Sequence, residues 1–191
     1  MNKTINNSGC HRTVRKKATP IIKIEIACQN DVKVQWRNKY YAGSKITNDE
    51  HWLHIAETTP GDVVFLSQVT SPLLRVSTMQ SALDSFLCSD NYDSINSVTI
   101  EKKFLWKGDS PLNYKYEQTP KSQDLPDIFS LNFAITIIKK QEMITQKNVV
   151  GTKPKFITLD KVESIDIDDT IDFKIAELMY KEMGIKWLIE H

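Results

Sequence analysis

Strand and helix patterns alternate along the middle of this chain, and that alternation restricts the possible folds. Val63 to Leu66 is a continuous apolar run, which is typical of a strand covered on both faces in a parallel sheet. Apolar residues at helical spacing follow from Met79 to Leu87, and Ile95 to Ile100 has the pattern of another strand. Because such crossovers are right-handed and place helices against a sheet, the order predicts an α/β sandwich with a mainly parallel sheet.

Further elements flank this central part. Before the central part, the pattern predicts a short strand over 32–36 and a helix that is capped by Asn48 and ended by Pro60-Gly61. Ser77 is the predicted cap of the central helix. After the central part, the pattern predicts strands over 129–138 and 154–159 and a helix over 170–183 that Gly184 ends. A chain of 191 residues is long enough to bury a core without a disulfide or a metal.

Charge and cysteine usage restrict the partners and the location. The chain has 25 Lys and Arg against 24 Asp and Glu, and this balance argues against a general nucleic-acid binder. No apolar run approaches the roughly 20 residues that cross a bilayer, so we expect no membrane insertion. Three widely separated cysteines suit free thiols in a reducing compartment. We therefore expect a soluble, cytoplasmic protein.

The composition predicts three regions. Residues 1–30 begin as a polar, basic stretch, which is either a tail or the remnant of a nucleotide-binding segment, and residues 31–191 form the α/β domain. Within this domain, residues 101–128 place aromatic side chains among glycines and prolines without a helical period. We expect a hairpin-rich insertion there. Its aromatic residues either form a partner surface or pack locally against the main sheet.

The most distinctive local pattern is the pair Asp166 and Asp168 near the C-terminus. If this segment continues a strand, both side chains point to the same face, and two carboxylates there could hold a hard cation such as Mg²⁺. Asp169 and Asp172 are instead explained by capping of the final helix. A solvated or capped turn remains the alternative for the first pair.

A second candidate segment is the turn Gln68-Val69-Thr70-Ser71-Pro72, which follows a predicted strand. Ligands of open α/β sheets bind beyond the carboxyl ends of strands. Gln68 could contact a base edge or a hydroxyl, and Thr70 and Ser71 could contact a phosphate or ribose. The ordinary alternative is a turn stabilised by its own hydroxyl groups.

Three segments in a fixed order carry a family resemblance between residues 31 and 183. They are Val63-Val64-Phe65-Leu66-Ser67-Gln68-Val69-Thr70-Ser71-Pro72-Leu73, Gln123-Asp124-Leu125-Pro126-Asp127-Ile128-Phe129 with Asn132, and Asp166-Ile167-Asp168 with Asp172-Phe173. With Trp36-Arg37 and Tyr41-Ala42, they resemble the cytidylyltransferases that activate acidic sugars, of which the N-acylneuraminate (CMP-sialic acid) synthetases are the best known.

The resemblance implies a Rossmann-like nucleotidyltransferase fold in which residues 101–128 form a small dimerisation element, so that the protein is a homodimer. It also implies transfer of CMP from CTP to an acidic, sialic acid-like sugar with release of pyrophosphate. Asp166 and Asp168 would be the catalytic pair and would hold Mg²⁺. Gln68, Thr70, Ser71 and Gln123 would bind the nucleotide or the sugar.

The sequence departs from the family at several positions. Members of the family begin with an apolar strand and a phosphate loop of the form A-R-x-G-S-K-R-x-P-x-K-N. In this chain, the segment from Gly9 to Lys17 matches that loop at only a few positions, which include Arg12 and Lys16. We therefore expect an N-terminally shortened member. Ser122 stands where arginine is common, and Phe133 stands where glycine is common.

Two further hypotheses remain from the sequence. One is a non-catalytic relative that acts as a binding or assembly subunit. The other is an α/β domain whose acidic residues only cap helices.

Overall fold

The computed structural model describes residues 18–43 and 45–189. The chain divides into two compact units, with the division between Ile46 and Thr47, whereas the sequence placed a boundary at residues 30 and 31. The candidate phosphate-loop residues Arg12 and Lys16 lie outside the described residues.

The first unit contains one α-helix and one 3₁₀ turn. Helix α1 spans Ala18–Gln29, and the 3₁₀ turn spans Lys39–Ala42. The strand predicted over 32–36 is wrong, because residues 32–38 have no regular secondary structure. Val32 and Trp36 are largely exposed, and no strand in the described part of the chain pairs with this segment. Alternation alone does not make a strand when no neighbour supplies a hydrogen-bonding ladder.

The second unit alternates strands and helices as predicted. Its elements are α2 (Asn48–Thr58), β1 (Val63–Ser67), α3 (Val76–Leu87), β2 (Ser94–Glu101), β3 (Trp106–Lys107), β4 (Ser110–Pro111), β5 (Ile128–Lys139), α4 (Lys140–Gln146), β6 (Pro154–Thr158) and α5 (Thr170–Ile189). No helix in the described ranges is both long and apolar enough to cross a bilayer.

Four strands form the main sheet in the order β1-β5-β2-β6. β2 and β6 are parallel neighbours, and β5 runs antiparallel to both β1 and β2. Strands β1, β2 and β6 therefore share one direction, and their carboxyl ends lie at the same edge of the sheet. The α/β class and the predominance of one strand direction are confirmed, although β1 itself pairs antiparallel with β5.

The core lies on both faces of the sheet. Ile137 of β5 belongs to a buried cluster with Ala82 and Phe86 of α3, whereas Ile138 belongs to a cluster with Ala56 of α2 and Met143 of α4. Successive side chains of a strand point to opposite faces, so this division means that helices cover both faces of the sheet. The predicted sandwich is confirmed.

The helix ends match the sequence signals with small shifts. Thr47, rather than Asn48, caps α2, and its hydroxyl and the Glu50 carboxylate form a capping box. The predicted cap at Ser77 is wrong, because α3 begins at Val76 after Arg75, which makes no side-chain cap bond. Gly184 interrupts α5 with φ 70°, and helical residues continue to Ile189 after that kink.

The insertion over 101–128 contains a short hairpin, formed by β3 and β4. Four aromatic rings cluster on it through edge contacts. Tyr114 contacts Phe104 and Trp106 at centroid distances of 5.1 and 6.1 Å, and Trp106 contacts Tyr116 at 6.2 Å. The predicted hairpin is therefore present, and its rings pack on one another.

Candidate functional site

The turn after β1 lies at the edge where the carboxyl ends of β1, β2 and β6 meet. The N–H of Ser71 donates to the Gln68 carbonyl at 3.1 Å, which closes the turn, and the N–H of Gln68 donates to the Ala134 carbonyl of β5 at 3.4 Å. Ser71 is buried, whereas Gln68 and Thr70 are half-buried. The turn is thus held against the sheet while Gln68 and Thr70 retain partial access to solvent.

The segment that contains Asp166 and Asp168 lies directly against this turn. The N–H of Ile167, between the two acids, donates to the carbonyl of Thr70 at 2.9 Å. Two motifs that are almost one hundred residues apart in the sequence therefore meet at one hydrogen bond. The structure brings Asp166, Asp168, Gln68, Thr70 and Ser71 into one region.

The local conformation of the acidic pair differs from the sequence prediction. β6 ends at Thr158, and a turn over 161–164 separates it from Asp166, so the pair does not continue a strand. The strand-based reason for placing both side chains on one face is therefore wrong. Asp166 is half-buried and Asp168 is exposed.

Asp166 has an oxygen that the described residues leave without a partner. Its Oδ1 atom is buried and accepts no hydrogen bond from them. A buried carboxylate oxygen is costly without a donor or a cation, so this atom fits a bound Mg²⁺. Within the described ranges, no group of three or more His, Cys, Asp or Glu side chains is arranged to hold a metal. A magnesium ion at this place would therefore need further oxygen ligands from substrate or water.

Asp169 and Asp172 cap α5 as the sequence predicted. Asp169 Oδ1 accepts from the N–H groups of Ile171 and Asp172 at 2.6 and 3.1 Å. Asp172 Oδ2 accepts from the N–H groups of Asp168 and Asp169, both at 3.1 Å. The carboxylates of Asp169 and Asp172 are thus used to cap α5, whereas the Asp168 carboxylate accepts none of these hydrogen bonds.

Gln123 is not joined to this region. It lies in a 3₁₀ turn over Ser122–Asp124 and is exposed. Among the described residues, no hydrogen bond links its side chain to the turn after β1 or to the acidic segment.

A part-buried ion pair beside the site was not predicted. Glu163 is only 2% exposed, and its Oε2 atom accepts from Arg75 Nη2 at 2.7 Å. The hydrogen bond to Glu163 raises the pKa of the Arg75 guanidinium, although burial opposes this shift. Nothing in the sequence pattern connects these two residues, because 88 positions separate them.

Asn132 supplies a second polar group near the carboxyl end of β1. Its Oδ1 atom accepts from Ser97 Oγ and from the N–H of Ala134, at 2.5 and 3.2 Å. Its Nδ2 atom is buried and has no partner among the described residues. An unpaired amide donor and an unpaired carboxylate oxygen are therefore both present at this end of the molecule. The sequence marked Asn132 only as part of a family motif.

Comparisons with known proteins identify relatives of this chain. No protein-family model matches it. The chain is 32% identical over 131 residues to N-acylneuraminate cytidylyltransferase A of Danio rerio, across 64% of this chain and 30% of that protein. It is 28% identical over 64 residues to the post-translational flagellin modification protein B of Campylobacter coli, across 34% of this chain and 27% of that protein. These comparisons confirm the resemblance to the cytidylyltransferase family.

A solved structure supports the fold that the cytidylyltransferase resemblance implies. The 4-diphosphocytidyl-2C-methyl-D-erythritol synthase of Anaerococcus prevotii superposes with a TM-score of 0.62 at 10% identity, over 87% of this chain and 78% of that one. At this identity the likeness concerns the fold alone. The chain spans less than a third of the length of the two curated relatives.

Proposed function

We propose that this chain is a cytidylyltransferase that binds CTP and transfers CMP to an acidic, sialic acid-like sugar, with release of pyrophosphate. The observation that carries the proposal is the hydrogen bond from Ile167 to Thr70, which joins two of the three segments of the family resemblance. The similarity to the N-acylneuraminate cytidylyltransferase of Danio rerio supports the same reaction class.

In this proposal, Asp166 and Asp168 would hold Mg²⁺. The bound ion would offset negative charge on the phosphates of CTP. Gln68 contacts the base or a ribose hydroxyl, and Thr70 and Ser71 contact the ribose or a phosphate. The oxygen of the sugar's anomeric hydroxyl attacks the α-phosphate, the bond to pyrophosphate breaks, and the hydroxyl proton is released to water. Gln123 is retained as a candidate sugar or nucleotide contact, and Arg12 and Lys16 as candidate phosphate contacts.

The second candidate is a non-catalytic relative that acts as a binding or assembly subunit. The exposed rings on the insertion favour it, since Trp106 and Tyr116 are 45% and 69% exposed. Large exposed aromatic groups are enriched in protein interfaces. The same rings support a homodimer in the catalytic proposal, and the two candidates differ in whether CTP is consumed.

A cytoplasmic location completes the proposal. Cys88 is an exposed thiol outside any disulfide, which suits a reducing compartment.

The decisive experiment incubates the protein with Mg²⁺, CTP and N-acetylneuraminate and measures pyrophosphate, while calorimetry measures CTP binding with and without Mg²⁺. We expect Mg²⁺-dependent CTP binding and pyrophosphate release that requires the sugar. Binding without release would favour the assembly subunit. The absence of both signals would reject the catalytic proposal.

Paired alanine variants separate metal binding from helix capping. Asp168→Ala should abolish turnover and Mg²⁺-dependent binding with little change in stability, because its carboxylate is exposed and caps nothing. Asp169→Ala should lower the free energy of unfolding by about 1 kcal/mol, because it removes the cap of α5. Chemical unfolding and the pyrophosphate assay measure the two effects. A large loss of stability in Asp168→Ala would show that this acid is structural.

A further inference from the structure

The ion pair between the half-buried Arg75 and the buried Glu163 joins the two segments that build the candidate site. Glu163 Oε1 accepts from the backbone N–H of Arg75 at 3.0 Å, while Glu163 Oε2 accepts from Arg75 Nη2 at 2.7 Å. Asp160 Oδ2 accepts from the same nitrogen at 3.1 Å. One carboxylate therefore binds both the main chain and the side chain of Arg75, which fixes its orientation as well as its distance.

Asp160 also shapes the segment that carries Glu163. Its Oδ1 atom accepts from the N–H groups of Val162 and Glu163, both at 2.9 Å. The turn before the acidic pair is thus closed by the same residue that contacts Arg75. Glu163 lies three positions before Asp166, and Arg75 lies four positions after Ser71.

Two cross-links therefore hold these segments together. The first is the ion pair of Arg75 and Glu163, and the second is the hydrogen bond from Ile167 to Thr70. A single hydrogen bond would leave the acidic segment free to rotate about it. A second contact on the other side of Asp166 fixes both its position and its rotation.

Trp187 covers the pair from the last part of α5. Its ring centroid lies 4.6 Å from Arg75 Cζ, and its Nε1 atom donates to the Leu73 carbonyl at 3.2 Å. The indole stacks over the guanidinium and binds the same turn. The ring shields one side of the guanidinium from water, and this partial shielding strengthens the electrostatic contact with Glu163.

Stability alone is a weak explanation for such a pair. The desolvation of the buried Glu163 carboxylate and of the half-buried Arg75 guanidinium offsets part of their attraction, so an apolar pair of similar volume could stabilise the fold equally well. A planar guanidinium bound to a carboxylate instead fixes the relative position and orientation of the two segments that carry these groups.

We infer that Arg75 and Glu163 are positioning residues, which fix the turn at 68–75 against the segment at 160–168 and so set the place of Asp166 beside Thr70. The part that concerns ligand binding rests on the proposed function. Neither side chain is assigned a contact with substrate.

The first test measures hydrogen exchange at single amides in the full chain. In Glu163→Gln we expect the Ile167 amide to exchange roughly tenfold or more faster, because the ion pair of Arg75 and Glu163 is weakened and the segment opens locally. The Ile137 amide in the central strand should keep its protection. Arg75→Lys keeps the charge but loses the planar guanidinium that lies over Trp187, and it should show a smaller change in the same direction.

The matched control is Glu177→Gln, which makes the same chemical change in the exposed pair of Lys181 and Glu177 on α5. It should leave the Ile167 amide unchanged. Unchanged exchange at Ile167 in Glu163→Gln would overturn the inference. Loss of protection at Ile137 as well would also overturn it, because the pair would then be a general folding requirement.

The second test measures CTP binding in the presence of Mg²⁺. We expect Glu163→Gln to bind roughly tenfold or more weakly, as occurs when a residue that orients a ligating group is lost, and Glu177→Gln to match the natural chain. Faster exchange at Ile167 with unchanged CTP affinity would overturn the positioning role. If the natural chain binds no CTP, the proposed function fails, and the exchange result alone decides whether the pair fixes the two segments.

Discussion

At the scale of single residues, Phe133 has a backbone conformation that favours glycine. Its φ is 54°, in the left-handed region, at the point where the register between β2 and β5 shifts. Its ring packs against the cluster that includes Ala56 and Val64, so side-chain packing offsets the backbone strain. The family resemblance places glycine at this position, and the geometry explains why.

We predict that Phe133→Gly is more stable than Phe133→Ala by about 1 kcal/mol, because both variants lose the ring but only glycine relieves the strain. Urea unfolding of the two variants measures the difference. Phe129 in the same strand is the control position, since its φ is not positive. At position 129 we expect the opposite order of stability, with Phe129→Gly less stable than Phe129→Ala by about 0.5–1 kcal/mol. The same order at both positions would contradict the assignment of strain to Phe133.

The sequence revealed only some of the site residues, for a physical reason. Asp166 and Asp168 stand out because their spacing is local, and Thr70 and Ser71 stand out because they follow a strand pattern. Arg75 and Glu163 form their contact only after the chain has folded. A single Arg or Glu in a turn gives no pattern from which such a pair could be predicted.

At the scale of elements, the Asp93 carboxylate binds the loop between α4 and β6 through several hydrogen bonds. Asp93 accepts from the N–H and hydroxyl of Thr152, at 2.9 and 2.7 Å, and from the N–H of Lys153. Burial tends to raise the pKa of Asp93, but these hydrogen bonds outweigh burial and hold that pKa below the ordinary value of an aspartate. The ionised form is therefore more favoured in the folded chain than in the unfolded chain.

The predicted consequence is a stability difference that depends on pH. At about pH 6 we expect Asp93→Asn to be less stable than the natural chain by about 1–3 kcal/mol, since charged hydrogen bonds are lost. A depressed pKa contributes stability above the unfolded value, and this contribution disappears as the pH falls through the folded value. The difference should therefore shrink toward about pH 3, as measured by chemical unfolding across the range.

Asp90→Asn is the control for this measurement. Asp90 contacts Lys139 at 3.4 Å and is fully exposed, so its replacement should change stability little at any pH. A constant difference between Asp93→Asn and the natural chain at every pH would contradict the role assigned to the ionised carboxylate.

Elements with a clear period were predictable, and the others were not. β1 was recognised because its apolar run is continuous, β2, β5 and β6 because Val, Ile and Phe recur within short segments, and α3 because its buried residues recur at helical spacing. Helix α4 has seven residues and buries only Met143, so it offers no helical period to detect. The antiparallel direction of β5 depends on pairing with distant strands, which the pattern of one segment does not contain.

At the scale of the whole molecule, the insertion presents an aromatic surface on a hairpin that is held in place by one side chain. Asn113 accepts from the N–H of Leu105 at 3.0 Å and donates to the Lys103 carbonyl at 2.8 Å. The aromatic surface consists of Phe104, Trp106, Tyr114 and Tyr116. The Asn113 side chain restrains the hairpin, and the aromatic rings contact one another. Little side-chain entropy would therefore be lost when a second copy of the chain binds to the aromatic surface.

The corresponding prediction concerns the oligomeric state. We expect the natural chain to be a dimer by light scattering, and the double variant Trp106→Lys with Tyr116→Lys to have half its mass, because two added charges on each subunit would have to be desolvated in the interface. Neither ring belongs to the main core clusters, so chemical unfolding should show nearly unchanged stability.

The matched control makes the same two changes on α5, as Phe173→Lys with Leu178→Lys. These side chains are 54% and 58% exposed, similar to the rings on the insertion, so the control tests exposed apolar area in general. It should remain a dimer, since the proposed contact lies on the aromatic surface. A monomeric natural chain would contradict the homodimer, while dissociation of the α5 variant alone would move the interface to the final helix.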